Sequence, residues 1–514
     1  MNLLTDPWVP VREAGEFKLI TYEELLCEDR DVAIALTRDD MEHACLQLLV
    51  SLTQVTFTPR DKKELRARID TPLTGEEFKA GIEPFIDWFD VAHSTHPFMQ
   101  VRGVEAKGPT SIQKLFTGLP EGDGTHTFFN DSNEIQSAGL AAAAIALFNQ
   151  ASTSPNFGGG FKGALRGVPV TTLIRQEAVS TLDDTPGGGR LRRLIWWNVL
   201  HFGRLRLWNM NWRDWSFDHF RKHLTGDQPT WVRPIERGEK IAAADIGLLR
   251  GLFWQPAHVE LLVEDIDGHC DYFDIETRPI TRSFKKAKFT YDVSAMWQHP
   301  HSAKSWKEKN NQLEQGYVSF RTTAPAWTQL TQFMFERRSE NKEGSEPAAV
   351  VHQYKDLSDG FGLELSLGGY RNKQASVVER RHELLQIGAD WQSGGAALKE
   401  ITNDALAFRE NLVRRSAGFG KAAGVSGLGN AASSQFYQRT EALIHEHIGE
   451  LDHGAFEARR TALAETLSKH CLTIFDQITQ PYRHKPKMLI AREKARAGLE
   501  ADLAKLRAKA KPAT

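Results

Sequence analysis

AALKEITNDALAFRENLVRRSA, residues 396–417, places Leu398, Ile401, Ala405, Phe408 and Leu412 three or four positions apart, the spacing that lays an apolar stripe along one side of an α-helix. LAETLSKHCLTIF, residues 463–475, repeats the pattern with Leu463, Leu467, Cys471 and Ile474. From about Leu384 onward the composition turns to Ala, Leu, Glu and Arg. Breaks at Ala417–Ser434 (AGFGKAAGVSGLGNAASS), Leu451–Gly454 and Pro481–Pro486 divide this region into about four helices. Helices with one apolar seam each bury those seams against one another, so the region reads as a separate bundle. The first break is long and Gly-rich, so a mobile connection is expected there. The last helix, Met488 to about Lys511, carries Arg492, Lys494, Arg496, Lys505, Arg507 and Lys509, with Glu493, Glu500 and Asp502 between them. Mixed signs suit a solvated amphipathic face better than a stripe facing phosphates.

Upstream the pattern is mixed. Trp8 to Val11 and Phe17 to Ile20 read as strands, whereas DDMEHACLQLLVSLTQV (39–55), with acidic residues at its start, and AAAAIALFNQ (141–150) read as helices. Residues 170–385 alternate short Val/Thr/Phe-rich runs with Pro and Gly breaks. Trp196, Trp197, Trp208, Trp212 and Trp215 crowd one stretch of it, a cluster that belongs in a core more readily than on a base-stacking platform.

With 514 residues the chain has room for roughly three domain-sized units, and 41% hydrophobic against 25% charged is an ordinary globular balance. A formal charge of −2 offers nucleic acid no bulk attraction, so any binding of that kind depends on local basic surfaces. Asp6, Pro7 and Glu13 interrupt the start where a signal peptide needs an apolar core, and no window approaches the ~20 apolar residues of a membrane span. A soluble, cytoplasmic protein is expected. Cys27, Cys45, Cys270 and Cys471 are scattered without a CxxC pair, so neither a disulfide framework nor a thiolate zinc site is expected.

Catalytic signatures are scarce. NFGGGFKG (156–163) is not a phosphate loop, because Lys162 is followed by Gly163 rather than Ser or Thr. Gly158 to Gly160 carry no side chains, so their amides can come close to a groove or a phosphate; a plain flexible turn is the simpler alternative. HSTHPF (His93, His96) and WQHPHSA (His299, His301) could ligate a metal with a carboxylate, yet neither has the HExxH spacing, and structural histidines are the expectation. No nucleophile elbow, paired acidic motif or Cys/His dyad is recognisable.

Taken in order, nine segments carry a family resemblance. MNLLTDPWVPVR (1–12), RDDMEHACLQLLV (38–50), HPFMQVRGV (96–104), IALFNQA (145–151) and GFKGALRGVPVTT (160–172) come first. IGLLRGLFWQPAHVEL (246–261), KFTYDVSAMWQHPHS (288–302), GGYRNKQASVVERRHELL (368–385) and PYRHKPK (481–487) follow. Together they closely resemble the CasA family, the large subunit of the type I-E CRISPR complex called Cascade. The resemblance implies an α+β protein: a large mixed α/β N-terminal domain, residues 1–385, followed by a C-terminal four-helix bundle, residues 386–514. It also implies a binding protein that checks the protospacer-adjacent motif of double-stranded target DNA, with no catalytic residues, metal or cofactor.

Matched position by position, the family's glycine loop falls on Gly158, Gly159 and Gly160, with Gly159 foremost, its lysine finger on Lys288, and its glutamine wedge on Gln374 with Ala375. These would address the motif duplex from the minor groove, where few groups distinguish the base pairs. Lys162, Arg371 and Lys373 stand nearby as phosphate contacts. The loop that docks near the 5′ end of the guide RNA matches HTFFNDSN (126–133), with Phe128, Phe129 and Asn130 at the contacting positions. Implied partners are the CRISPR RNA, target DNA, the backbone and small Cascade subunits, and a recruited helicase-nuclease. Some relatives carry asparagine where Lys373 stands, glycine where Asn156 stands, and a zinc-binding cysteine cluster that this chain lacks. Two other classes compete: a scaffold subunit that does not touch DNA, and a metal-dependent nuclease using His93, His96, His299 or His301 with Asp39 or Asp40.

Overall fold

The computed structural model describes residues 1–119, 133–158, 160–175, 189–209, 212–309, 312–320, 322–338, 343–358, 362–373, 376–450, 455–484 and 486–511. Two compact units emerge: Met1–Thr322 with Glu336–Leu357 and Ser366–Glu383, and Thr323–Phe335 with Ser358–Leu365 and Leu384–Thr514. Two short segments well upstream of residue 386 thus belong with the helices of the second unit. The architecture is α+β, a mixed α/β N-terminal part followed by a four-helix bundle.

In the first unit the strands Val9–Glu13 and Glu16–Ile20 pair from Val9↔Ile20 to Glu13↔Glu16. The two residues between them, Ala14 and Gly15, have φ of 49° and 91°, the left-handed pair that a two-residue hairpin demands. The helix Asp39–Thr56 opens on Asp39, Asp40 and Glu42 and is buried along nearly its whole length. One of its polar side chains is fully answered inside: Gln54 donates to the Leu200 carbonyl at 2.9 Å and accepts the Leu200 N–H at 2.7 Å. Beside it lies the buried helix Leu140–Ser152.

Two sheets carry the segments of functional interest. The strand Ile280–Ala287 pairs antiparallel with His258–Glu264 and also holds Thr110–Ser111 and Ala138–Gly139. A second sheet orders Ser376–Ile387, Leu363–Lys373 and Thr171–Ile174. Trp196, Trp208 and Trp212 are buried and Lys304 Nζ sits 3.8 Å over the Trp208 ring, so these three belong to the core, while Trp197 and Trp215 are half-buried.

The second unit is built on the helices Gly395–Ala423, Leu428–Gly449, Phe456–Thr479 and Pro486–Lys509. Leu398, Ile401, Ala405, Phe408 and Leu412 are all buried, as are Leu463, Leu467, Cys471 and Ile474. The expected long, mobile break at Ala417–Ser434 is corrected: helix runs through Ala423 and resumes at Leu428. Two of the glycines there, Gly420 and Gly429, serve close approach. A Cβ on Gly420 would lie 2.7 Å from the Val425 carbonyl oxygen, and one on Gly429 would lie 3.2 Å from Ala417 Cβ. Only Gly424 and Gly427, at φ of 69° and 84°, make the turn itself. The expected break at Leu451–Gly454 lies outside the described residues. In the last helix Arg492 and Arg496 pair with Asp476, and Arg507 with Glu465, leaving Lys494, Lys505 and Lys509 exposed.

Candidate nucleic-acid interface

Asn156 closes the glycine segment into a loop. Its Oδ1 accepts the Gly158 N–H at 3.0 Å, its Nδ2 donates to the Phe161 carbonyl at 2.7 Å, and the Phe161 N–H donates to the Gly158 carbonyl at 3.0 Å. Gly158 and Gly160 hold φ of 87° and 88°, a region that side chains with a Cβ enter only at a cost. The Phe157 ring anchors the loop edge-on to Phe161, with centroids 5.6 Å apart, and against Phe284 of the strand Ile280–Ala287 at 5.9 Å.

Three lysines surround this loop. Lys288 is exposed just past the end of that strand, and a Cβ built on Gly160 would stand 3.7 Å from its Nζ. The Lys288 ammonium thus lies close to the main chain of Gly160, although the two residues are far apart in sequence. Lys286 Nζ lies 5.3 Å over the Phe157 ring. Lys162 Nζ lies 5.4 Å over Tyr291 and 3.4 Å from Asp292 Oδ1, which offsets part of its charge.

The hairpin strands Leu363–Lys373 and Ser376–Ile387 flank Gln374 and Ala375, which lie outside the described residues, as do Gly159, Phe128, Phe129 and Asn130. Lys373 is exposed. Arg371 holds Glu379 across the hairpin at 2.7 Å and would have to exchange that partner to reach a phosphate. Residues of both strands are tied to the start of the helix Asp39–Thr56. Tyr370 donates its hydroxyl to the buried Asp40 carboxylate at 2.7 Å, and Arg38 grips the same group at 3.0 and 2.8 Å. Arg380 Nε is 2.5 Å from Asp39 Oδ1. Ser366 Oγ lies between His43 Nδ1 at 3.1 Å and His382 Nε2 at 2.7 Å, and burial holds both imidazoles below their ordinary pKa. Sequence reasoning missed this seam and the Asn156 clamp. An asparagine two residues before a glycine is the signal that could have found the clamp; nothing local marks Asp40 as the partner of Tyr370.

The family model for CRISPR-associated protein Cse1 matches residues 2–474. The chain belongs to the Cse1 family. The curated CasA/Cse1 protein of Thermus thermophilus is 26% identical over 192 residues, 36% of this chain and 35% of that one, so the matched stretch spans about a third of the relative's length. The solved Cse1 of Thermobifida fusca matches with a TM-score of 0.73 at 18% identity, covering 100% of this chain and 99% of that one. A chain of a solved CRISPR RNA-guided surveillance complex matches with a TM-score of 0.63 at 15% identity, covering 97% and 99%. At these identities the structural likeness shows the fold.

In this Cse1-family chain the histidine pairs are occupied. His93 and His96 stack at 3.7 Å and turn Nε2 toward Asp87 at 3.3 and 2.9 Å, and this is the one group among the described residues spaced to hold a metal ion. His93 Nδ1, however, accepts the Thr95 and His96 N–H groups at 3.2 and 3.1 Å. That leaves the ring proton on Nε2, facing Asp87, where a metal would need a lone pair. His299 Nδ1 accepts the His301 N–H at 3.1 Å, and His301 Nε2 donates to the Asn198 carbonyl at 2.8 Å. Burial holds His299 well below its usual range and His301 at about 4. Asp39 and Asp40 already face arginines.

Proposed function

We propose that this chain is the large subunit of a CRISPR RNA-guided surveillance complex, a cytoplasmic binding protein without chemistry of its own. It reads the protospacer-adjacent motif of double-stranded DNA from the minor groove. The observation that carries this reading is the approach of the Lys288 ammonium to the left-handed Gly160. The minor groove displays mostly acceptors, so backbone N–H groups and one ammonium donor can accept several related motifs rather than one. Gly158, Gly159 and Gly160 supply main chain, Lys288 the donor, and Gln374 with Ala375 the wedge that helps unpair the first base pair, a cost of a few kcal/mol that RNA–DNA pairing then offsets. Lys162 and Lys373 neutralise phosphates, with Arg371 joining if it leaves Glu379. Phe128, Phe129 and Asn130 dock against the guide RNA. The remaining partners are the backbone and small subunits and the helicase-nuclease that cuts.

The test is binding of the reconstituted complex to duplexes with and without candidate motifs, comparing wild type with Lys288→Ala and Gln374→Ala. Loss of motif preference in the variants is expected. Equal binding would overturn the site assignment and leave a scaffold role.

A further inference from the structure

Carboxylates stand beside several of the cations near the proposed DNA contacts. The Asp292 side chain is 79% exposed, and its Oδ1 lies 3.4 Å from Lys162 Nζ. In the parallel pairing of Asp292–Ser294 with Lys240–Ala242 it lies opposite Lys240, yet among the described residues Lys162 is its ion-pair partner. Glu379 Oε2 accepts from Arg371 Nε at 2.7 Å across the hairpin. Of the other hairpin cations, Arg380 is spent on Asp39 and Arg381 on Glu383. Lys373 is then the one lysine or arginine of the two hairpin strands that meets no carboxylate among the described residues.

Stability gives little reason for the pairs at Asp292 and Glu379. An exposed ion pair adds almost nothing to folding, because water screens it and both side chains give up rotamer freedom. Two other pairs are different in kind: Arg381 and Glu383 are largely shielded from solvent, and Arg380 with Asp39 ties the hairpin to the helix Asp39–Thr56. Asp292 and Glu379 each hold a cation that the DNA reading assigns to a phosphate. A lysine or arginine that neutralises a phosphate releases counterions, and affinity follows. One that already faces a carboxylate must first exchange partners, and the displaced carboxylate then stands close to the phosphate as a like charge.

We propose that Asp292 and Glu379 are affinity-limiting residues of the DNA surface: they hold Lys162 and Arg371 back from phosphates, so that charge alone does not keep the complex on duplexes that lack the motif. Their carboxylates weaken binding to every duplex alike, and the contacts at Gly160 and Lys288 are left to decide where the complex stays. The inference rests on the DNA reading.

The test compares the reconstituted complex carrying wild type, Asp292→Asn, Glu379→Gln or both, on duplexes with and without the motif, at several salt concentrations and with Tm recorded beside Kd. Both substitutions keep the shape of the side chain and remove its charge. Asp267→Asn is the control: it changes net charge equally on an 84% exposed side chain. It lies past the end of the strand His258–Glu264 remote from Lys288, about 20 Å along that strand and beyond the reach of screened charge. Each test substitution is expected to lower Kd about threefold on both duplexes and the pair about tenfold, with a salt slope steeper by up to about 0.9 per acid and an unchanged ratio between the duplexes. An unchanged or raised Kd, or an equal gain from Asp267→Asn, would overturn the proposal. A wild type that prefers neither duplex would overturn the motif reading alone, since the effect of the acids is read as a change in Kd on either duplex.

Discussion

Asn156 is the residue on which the glycine loop turns, because one side chain spans both of its arms. Asn156→Ala removes both bonds and should cost the complex about tenfold in its preference for a motif duplex over a control duplex, about 1.4 kcal/mol for a lost hydrogen-bonded constraint. Asn156→Asp keeps the acceptor for Gly158 but turns a carboxylate on the Phe161 carbonyl, so it should not rescue. The ratio of the two Kd values, measured beside Tm, separates a loop effect from unfolding. Asp40 is costlier to lose: Asp40→Ala strands the buried Arg38 and should destabilise the first unit by about 3–5 kcal/mol in chemical denaturation. Buried histidines set an acid limit as well. His201 and His301 are held at about 4, and His43 and His299 well below the ordinary value, all mainly by burial. Since the unfolded chain takes up these protons near pH 6.5 and the folded one does not, their contribution is complete above pH 6.5 and is lost as pH falls from there toward 4. Tm should therefore fall steeply between pH 6.5 and pH 5, with net proton uptake on unfolding measurable by potentiometry; a flat Tm over that interval would contradict the buried assignment.

At the scale of the element, the bundle helices were legible because apolar residues three and four apart leave little choice of period, and the acidic opening of the helix Asp39–Thr56 marked its start. The connection after residue 417 was misread because glycine has two uses that composition does not separate. Gly424 adopts a left-handed conformation that side chains enter only at a cost, while Gly420 packs under the Val425 carbonyl. Gly424→Ala should destabilise the second unit by about 1 kcal/mol through backbone strain, and Gly420→Ala by steric displacement of the turn. A circular dichroism melt of each variant checks both. Strand character in residues 170–385 was signalled by short Val/Thr/Phe-rich runs between Pro and Gly breaks, but the attachment of this hairpin through Tyr370 and Ser366 was not, since the partners lie more than 300 residues away in the chain.

For the molecule as a whole, a formal charge of −2 says little about where cations gather. Family membership was readable from colinear segments; the meeting of Gly160 with Lys288 needed the fold, because a strand of another sheet delivers the lysine. Since each phosphate contact adds about 0.9 to the slope of log affinity against log salt, Lys373→Ala should lower the slope by about 1 while leaving motif preference intact, and Lys162→Ala should lower it less, because Asp292 offsets part of that charge. Arg371→Ala should change it less, because Glu379 already holds that guanidinium. Filter binding at several salt concentrations reads these slopes directly. The left-handed glycines carry one further consequence on the proposed reading. A recognition surface made of main chain has no side chains to exchange, so point mutation in the loop mostly breaks it instead of retuning it. Drift toward new motifs must then pass through its neighbours, the amide that clamps the loop and the ammonium beside it, which makes Asn156 and Lys288 the narrow evolutionary channel through which this protein's taste in DNA can change.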